Sequence, residues 1–221
     1  MSLRSLVSSF ALLIVTSLPL LASAAPTEWK IDTAHSSATF SIRHMMVSNV
    51  RGEFGNLTGT LMVDDADLTK SSVTAEIDAA TINTRVAKRD EHLKSPDFFD
   101  VSKFPKLTFK STKVEKAGNQ LKVTGDLSIH GVTKSIVLTA ELPTPAIKDP
   151  FGNTKRGFSA TAKINRKDFG LHWNKALEVG GGVVVGEEVS INIDIEANQA
   201  APSSPAPVPV NANETLRVRV Y

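Results

Sequence analysis

The stretch TRVAKRDEHLKSPDFFDVSKFP, Thr84 to Pro105, interrupts a chain whose other segments have the periodicity of β-strands. Val86 and Leu93 within it share one helical face, and Asn83 or Thr84 is suited to cap the first turn. The spacing predicts a short helix over about 85–94 that ends near Pro96. A helix this short is stable only when it packs on another element. We therefore expect four apolar residues to cap or gate one end of the β structure: Val86, Leu93, Phe98 and Phe99.

On both sides of this stretch, apolar and polar residues alternate with a period of two, as in strands with one buried face. The clearest case is Val189 to Glu196, where aliphatic and polar residues alternate strictly. Gly52, Gly55 and Gly59 leave two alternatives for their segment: one strand that bends at its glycines, or two strands. The chain lacks the strand–helix alternation of parallel sheets, so we expect antiparallel pairing.

Several short strands in one domain are compatible with a sandwich or a barrel. We predict an all-β fold, and the helical interruption favours an antiparallel barrel of about eight strands over a sandwich. A barrel of this size is wide enough to hold one small ligand. If the barrel is hollow, its ligand is apolar and elongated. The alternative, in which the inward side chains fill the barrel by packing together, stays open. The residues expected to line the interior are Phe40, Ile42, Leu61, Val63, Ile77, Leu107, Phe109, Leu127, Phe158 and Ile164.

The first 24 residues have the three regions of a secretory signal peptide: basic Arg4, an apolar run from Phe10 to Val15, and Ala22-Ser-Ala24 as cleavage site. An uncleaved anchor is the alternative, but the apolar run is shorter than a membrane span requires. We expect the mature domain to cover 25–198. The chain contains no cysteine, which excludes disulfides and thiolate ligands. A formal net charge of +2 gives no electrostatic indication of nucleic-acid binding.

Residues 199–221 differ in composition from the domain before them. A proline-rich linker follows Ala200, and Thr215 to Tyr221 alternates like a strand with basic residues on one face. We expect a flexible tail, because chain ends are usually loosely held. The alternative is a tethered strand that pairs with a sheet edge of this protein or of a partner.

Ordered motifs along the chain resemble the YceI family, whose pattern covers about Trp29 to Ala197. This resemblance implies a lipocalin-like antiparallel barrel that binds polyisoprenoids or similar long-chain lipids in the bacterial periplasm. The tail after Ala200 lies outside the family pattern. The motifs that carry the resemblance are Trp29-x-Ile-Asp-x-x-His-Ser36, Phe40-x-x-x-His44, Gly52-x-Phe54, Arg89-Asp-x-His-Leu-x-Ser-x-Asp-Phe-Phe-Asp100, Phe104-Pro105 with Phe109-x-Ser111, Gly125-Asp-Leu-x-Ile-x-Gly-Val-Thr133 and Asn165-Arg-x-Asp-Phe-Gly170.

The five histidines raise the alternative of a metal site, since imidazole is a common transition-metal ligand. No pair has the spacing of ligands on one strand or one helix face, so we predict no metal and no metal cofactor. Catalysis is not expected either, because no nucleophile motif is present. We expect polar groups at the barrel rim instead, with Arg89 and Asp90 pairing with Arg43 or His35. The predicted rim residues are His35, Arg43, His44, Arg89, Asp90 and His92.

Two basic residues near the glycine run 180–182, Lys175 and Arg166, are candidates to meet an anionic head group. We expect this run to form a flexible loop at the barrel mouth rather than a phosphate-binding loop, because no Lys-Ser/Thr pair and no helix follow it.

The function that the sequence favours is a carrier or store that shields a polyisoprenoid, an isoprenoid quinone or a fatty-acid-like lipid from water. The alternative from another class is a periplasmic interaction or inhibitor module with a structural barrel. The partners considered are the lipid itself, a membrane in transient contact, a protein that recognises the tail, and a second copy of the chain.

Overall fold

A computed structural model describes residues 25–178 and 181–201. The predicted signal peptide and the tail from residue 202 onward lie outside these residues. The described chain contains one α-helix, α1 (Ala87–Lys94), and eleven strands: β1 (Thr27–Ile31), β2 (Ser37–His44), β3 (Ser48–Phe54), β4 (Thr58–Val63), β5 (Ser72–Asp78), β6 (Lys106–Ala117), β7 (Gln120–Ile129), β8 (Val132–Glu141), β9 (Ile147–Lys148), β10 (Thr154–Asn165) and β11 (Val185–Gln199).

The strands form a closed antiparallel barrel with eight wall positions, which confirms the predicted fold class. The wall runs β1, β4, β5, β6, β7, β8, β10, β11, and β11 pairs with both β10 and β1 to close the ring. Closure leaves no open edge between the first and last strands, so the hydrogen bonds of the wall are satisfied within the barrel.

The other three strands extend this wall. Beside β11, β2 continues the line of β1, because Ile31 pairs with Ala197 and Ala38 pairs with Ile193. In the same way β3 pairs with β2 beyond the end of β4. The glycine-rich segment therefore forms two strands, β3 and β4, that lie almost end to end. The third extension, β9, is a two-residue strand on the edge of β10.

The segment 79–105 closes the end of the barrel where β5 stops and β3 is left without a strand beside it. The backbones of Asn83 and Glu53 exchange two hydrogen bonds there, at 2.9 and 3.0 Å. A turn of 3-10 helix over Ala79–Thr81 precedes α1, and Ala79 is completely buried. We call this end, with 79–105, 166–178 and 181–184, the capped end; the opposite end, with 64–72 and 141–153, is the open end.

The helix was predicted at about 85–94, and α1 begins two residues later. Its N-cap is Val86, which makes no side-chain capping bond, so the predicted capping by Asn83 or Thr84 is wrong. The Asn83 side chain instead accepts a hydrogen bond from the Arg85 N–H at 2.9 Å, one turn before the helix. The end of the helix agrees with the prediction, since Ser95 is the C-cap and Pro96 follows it.

The barrel interior is incompletely filled. On β11 the inward residues Val189, Ile191, Ile193 and Ile195 are only half-buried, although they point away from bulk solvent. Fully packed apolar clusters lie around Trp29 and elsewhere along the wall. Inward side chains that remain accessible in a closed barrel border internal space. No helix among residues 25–178 and 181–201 has the length and apolar character needed to cross a membrane.

Candidate functional site

A cavity of about 290 Å³ occupies the interior of the barrel. Its walls consist mainly of aliphatic and phenylalanine side chains from the inward faces of the strands. All ten residues predicted to line the interior border this cavity: Phe40, Ile42, Leu61, Val63, Ile77, Leu107, Phe109, Leu127, Phe158 and Ile164. Their role in binding a ligand stays a prediction, while their position is a feature of the fold.

Strand β11 supplies a part of the cavity wall that was not predicted from the sequence. Val189, Ile191, Ile193 and Ile195 all border the cavity. Their strict alternation with polar residues had identified a half-buried strand. Alternation alone does not say whether the buried face contacts other side chains or a cavity, so these residues were missed.

Glycines opposite two phenylalanines determine how the aromatic rings lie in the wall. A Cβ atom on Gly125 would lie 2.4 Å from Cζ of Phe109, and one on Gly52 would lie 2.5 Å from Cζ of Phe40. Real Cβ atoms do not approach carbon so closely, so each ring occupies space that only glycine leaves free. The two rings can therefore lie along the wall, where both border the cavity.

At the capped end, Leu93, Phe98 and Phe99 border the cavity, but Val86 does not. The prediction for Val86 is wrong: its side chain is 47% exposed, and as the N-cap it precedes the helix instead of belonging to it. Phe98 is buried and packs against Trp173, with ring centroids 5.2 Å apart, and against His92 at 5.1 Å. The cap is therefore an aromatic cluster below a short helix.

A polar cluster fixes α1 to the segment before it. One carboxylate oxygen of Asp90 accepts hydrogen bonds from the backbone N–H of Thr84 at 2.8 Å and from its hydroxyl at 2.5 Å. Arg89 donates to the Thr84 hydroxyl at 2.7 Å and to its carbonyl at 2.8 Å. Thr84 is buried. The predicted pairing of Arg89 and Asp90 with Arg43 or His35 is therefore wrong.

The other predicted rim residues do not come together. His35 lies on the outer wall between β1 and β2, where its Nδ1 lies 3.1 Å from Asp32. Arg43 and His44 end β2 on the capped side, and Arg43 makes a long contact of 3.5 Å with Asn49. His92 contacts Asp97 at 2.8 Å within the capped end.

Among the described residues, one group has the composition of a metal site: Asp32, His35 and Glu196. The ammonium group of Lys155 lies between the two carboxylates, 3.1 Å from Asp32 and 2.6 Å from Glu196. The hydrogen bond with His35, followed by that from Lys155, holds the pKa of Asp32 far below its usual range. The pKa of Lys155 is raised by Glu196 and then by Asp32. The side chain of Lys155 thus supplies the positive charge that a metal would bring.

Arg166 is a buried cation in the cavity wall. Its guanidinium donates to the backbone carbonyls of Gly186 at 2.8 Å and of Leu171 at 2.5 Å. Burial lowers the pKa of this guanidinium. Arg166 thus connects the loop after β10 to the start of β11. Lys175, the other candidate for a head group, is exposed and does not border the cavity.

Gly182 of the glycine run lies at the capped end, so its predicted position at a barrel mouth is wrong. Gly182 lies beside the turn between β2 and β3, where a Cβ atom would be 3.5 Å from Cγ of Met46. Gly180 is outside the described residues.

The cavity approaches solvent at the open end. Ser72 and Glu141 border it there and are both exposed, and Leu68 and Pro143 complete this part of the lining. At the capped end, by contrast, Leu93, Phe98, Phe99 and Leu171 are buried or half-buried. The geometry is that of a deep apolar pocket with one closed end.

Comparison with known proteins identifies relatives across the whole barrel. The sequence model of the YceI-like domain matches residues 29–197. A UPF0312 protein of Vibrio cholerae is 42% identical over 160 residues, which are 71% of this chain and 83% of the relative. Protein YceI of Salmonella newport is 37% identical over 179 residues, or 80% of this chain and 90% of the relative.

Solved structures have the same architecture. The YceI protein of Campylobacter jejuni superposes with a TM-score of 0.60 at 34% identity, over 72% of this chain and 90% of that one. A polyisoprenoid binding domain from Saccharophagus degradans superposes with a TM-score of 0.55 at 16% identity, over 79% and 99% of the two chains. At that identity the second likeness shows the fold alone.

Proposed function

This chain belongs to the YceI-like family, and from that we propose that it binds a long apolar molecule inside its barrel. The ligand classes that fit are a polyisoprenoid, an isoprenoid quinone and a fatty-acid-like lipid. The observation that carries the proposal is the apolar cavity of about 290 Å³, bordered by phenylalanine and aliphatic side chains. A related fold in Saccharophagus degradans is described as a polyisoprenoid binding domain, which supports the same ligand class.

The energetics favour an apolar chain in this cavity. Each methylene group moved out of water contributes about 0.8 kcal/mol, so a few isoprene units offset the cost of association. The volume is near the lower end of the range for small-molecule sites, roughly 300–1,000 Å³. A long chain therefore fits only in part, and its remainder emerges at the open end or displaces wall side chains.

In this proposal the protein is a non-enzymatic carrier or store in the periplasm. The signal peptide 1–24 directs its export and is then cleaved. Transient contact with a membrane would load or release the ligand. The interaction-module alternative predicts an empty barrel and a protein partner, and a metal-binding role predicts a bound ion.

The test is organic extraction of the purified protein followed by mass spectrometry. We expect a long-chain lipid at close to one molecule per protein. Ala160 borders the cavity on β10, and the next residue, Thr161, is exposed. Ala160→Phe should fill the cavity and remove the lipid, while the matched variant Thr161→Phe, one residue along the same strand, should retain it.

Repeated preparations without lipid, together with no uptake of farnesol or of the fluorescent fatty acid cis-parinaric acid, would disprove the proposal. Equal lipid content in Ala160→Phe and the wild type would show that the lipid lies elsewhere on the protein.

A further inference from the structure

The segment 142–153 joins β8 to β10 at the open end, and we call it the mouth hairpin. Three apolar side chains on it are exposed to solvent: Leu142 by 47%, Ile147 by 63% and Phe151 by 89%. Pro143, next to Leu142, borders the cavity. The exposed Leu142 therefore lies directly beside the lining of the barrel, and Ile147 and Phe151 lie on the same hairpin.

The mouth hairpin holds these side chains outward through its own hydrogen bonds. Thr144 and Gly157 exchange two bonds, at 2.8 and 3.0 Å, and β9 pairs with the first residues of β10. At the tip, Asp149 accepts hydrogen bonds from the N–H groups of Phe151 at 2.9 Å and Asn153 at 2.8 Å. The exposure of Phe151 is thus a property of an ordered turn.

The charges beside the tip leave a cation on its surface. Both carboxylate oxygens of Asp149 accept hydrogen bonds within the turn, and those bonds, first the one from the Asn153 side chain, lower its pKa. Lys148 is exposed and belongs to none of the ion pairs formed among residues 25–178 and 181–201. A phenylalanine and an isoleucine flanking a free ammonium group suit the boundary between lipid head groups and acyl chains.

We infer that the mouth hairpin docks on a lipid bilayer, with Phe151 and Ile147 inserted at its surface, so that the cavity opens toward the membrane. The inference rests on the proposed function in one respect, since it explains how an apolar ligand passes between the membrane and the barrel without crossing water. Contiguous exposed apolar patches, unlike single exposed apolar residues, mark sites of contact with membranes or proteins. The position at the cavity mouth favours the membrane.

The test is co-sedimentation of the purified protein with phosphatidylcholine vesicles, with and without phosphatidylglycerol. Phe151→Ser should weaken vesicle binding by about tenfold, which corresponds to the transfer of one large apolar side chain. Ile147→Ser should have a smaller effect in the same direction. Adding phosphatidylglycerol should strengthen binding of the wild type and have less effect on Lys148→Gln.

The matched control is Val47→Ser, because Val47 is 78% exposed on the turn between β2 and β3 at the capped end. This variant should bind vesicles like the wild type. Equal loss of binding in Val47→Ser and Phe151→Ser, or no loss in Phe151→Ser, overturns the inference. A dimer in solution that Phe151→Ser dissociates also overturns it, because the hairpin would then be covered by a second copy.

Uptake of cis-parinaric acid separates this inference from the proposed function. Phe151→Ser should take up the free fatty acid from water like the wild type but extract it more slowly from vesicles. Failure of all uptake by the wild type, together with preparations that contain no lipid, contradicts the proposed function alone. Normal uptake without vesicle binding contradicts the docking alone.

Discussion

The two ends of the barrel use phenylalanine in opposite ways. At the capped end, Phe98 is only 7% exposed and packs against both His92 and Trp173. At the open end, Phe151 is 89% exposed and is held outward by the turn that contains it. Buried aromatic area stabilises the folded state, and exposed aromatic area does not. The contrast teaches that Phe98 at the capped end contributes stability, while Phe151 at the open end is available for an interaction.

The largest expected effect tests this contrast with the same substitution at both ends. Phe98→Ala should lower the free energy of unfolding by about 3–5 kcal/mol, because it removes a buried ring and leaves a cavity. Phe151→Ala should change it by less than about 0.5 kcal/mol. Chemical denaturation at constant pH measures both values. Equal losses in the two variants would show that the ends do not differ in this way.

The next effect concerns the polar cluster that fixes α1. Asp90→Ala leaves the N–H and hydroxyl of buried Thr84 without their acceptor, so we expect a loss of about 1–3 kcal/mol in the free energy of unfolding. Lys88→Ala, on the exposed side of the same helix, is the control and should be close to neutral. An unchanged melting temperature in Asp90→Ala would contradict the role assigned to this cluster.

The smallest loss of stability among these tests is expected for a substitution on the outer wall, away from both ends of the barrel. Asp32→Asn weakens the contacts with His35 and Lys155, and we expect a loss below about 1 kcal/mol at neutral pH. Because the folded protein lowers the pKa of Asp32, its stabilising contribution is present above the pKa of the unfolded state, roughly 3.9. This contribution is lost as the pH falls toward the folded-state pKa.

Melting curves of wild type and Asp32→Asn across the acid range check this prediction. The difference in stability should be constant near neutral pH and should narrow as the pH falls below about 4. If the stability difference widened on acidification, its pH dependence would have the opposite sign to the one expected for Asp32. Another titrating group would then be responsible.

Much of the barrel was predictable because strand periodicity is local. The alternation on β11 and the turn at His130-Gly131 both mark elements that the structure contains. The start of α1 was not predictable, because Asn83 and Thr84 have the side chains of helix caps but form other bonds. Asn83 bonds to Arg85, and Thr84 bonds to Asp90 from a buried position. Tertiary contacts thus outweighed local capping preference.

The polar residues were harder to place. His35 and Arg89 belong to the motifs from which the resemblance was inferred, yet they lie on different parts of the barrel and bond to different partners. The spacing of charged side chains along a strand or helix shows which face is exposed. It does not show which residue of another element each charged side chain will contact. Lys155 and Glu196, which form ion pairs around Asp32, were missed for this reason. The signal peptide and the periplasmic location stay predictions.

The sequence by itself determined that the chain forms an antiparallel β structure with one helical interruption. Strand periodicity and the termination of a helix by proline both depend on residues only a few positions apart, so they can be read from the sequence. It also predicted ten of the side chains that border the cavity. Only the tertiary structure decided that the barrel is hollow, since the half-buried Ile191 and Phe158 have the same alternation as residues of a packed core. It alone placed the cap at one end and Phe151 at the other, because those positions depend on strand pairing between distant parts of the chain.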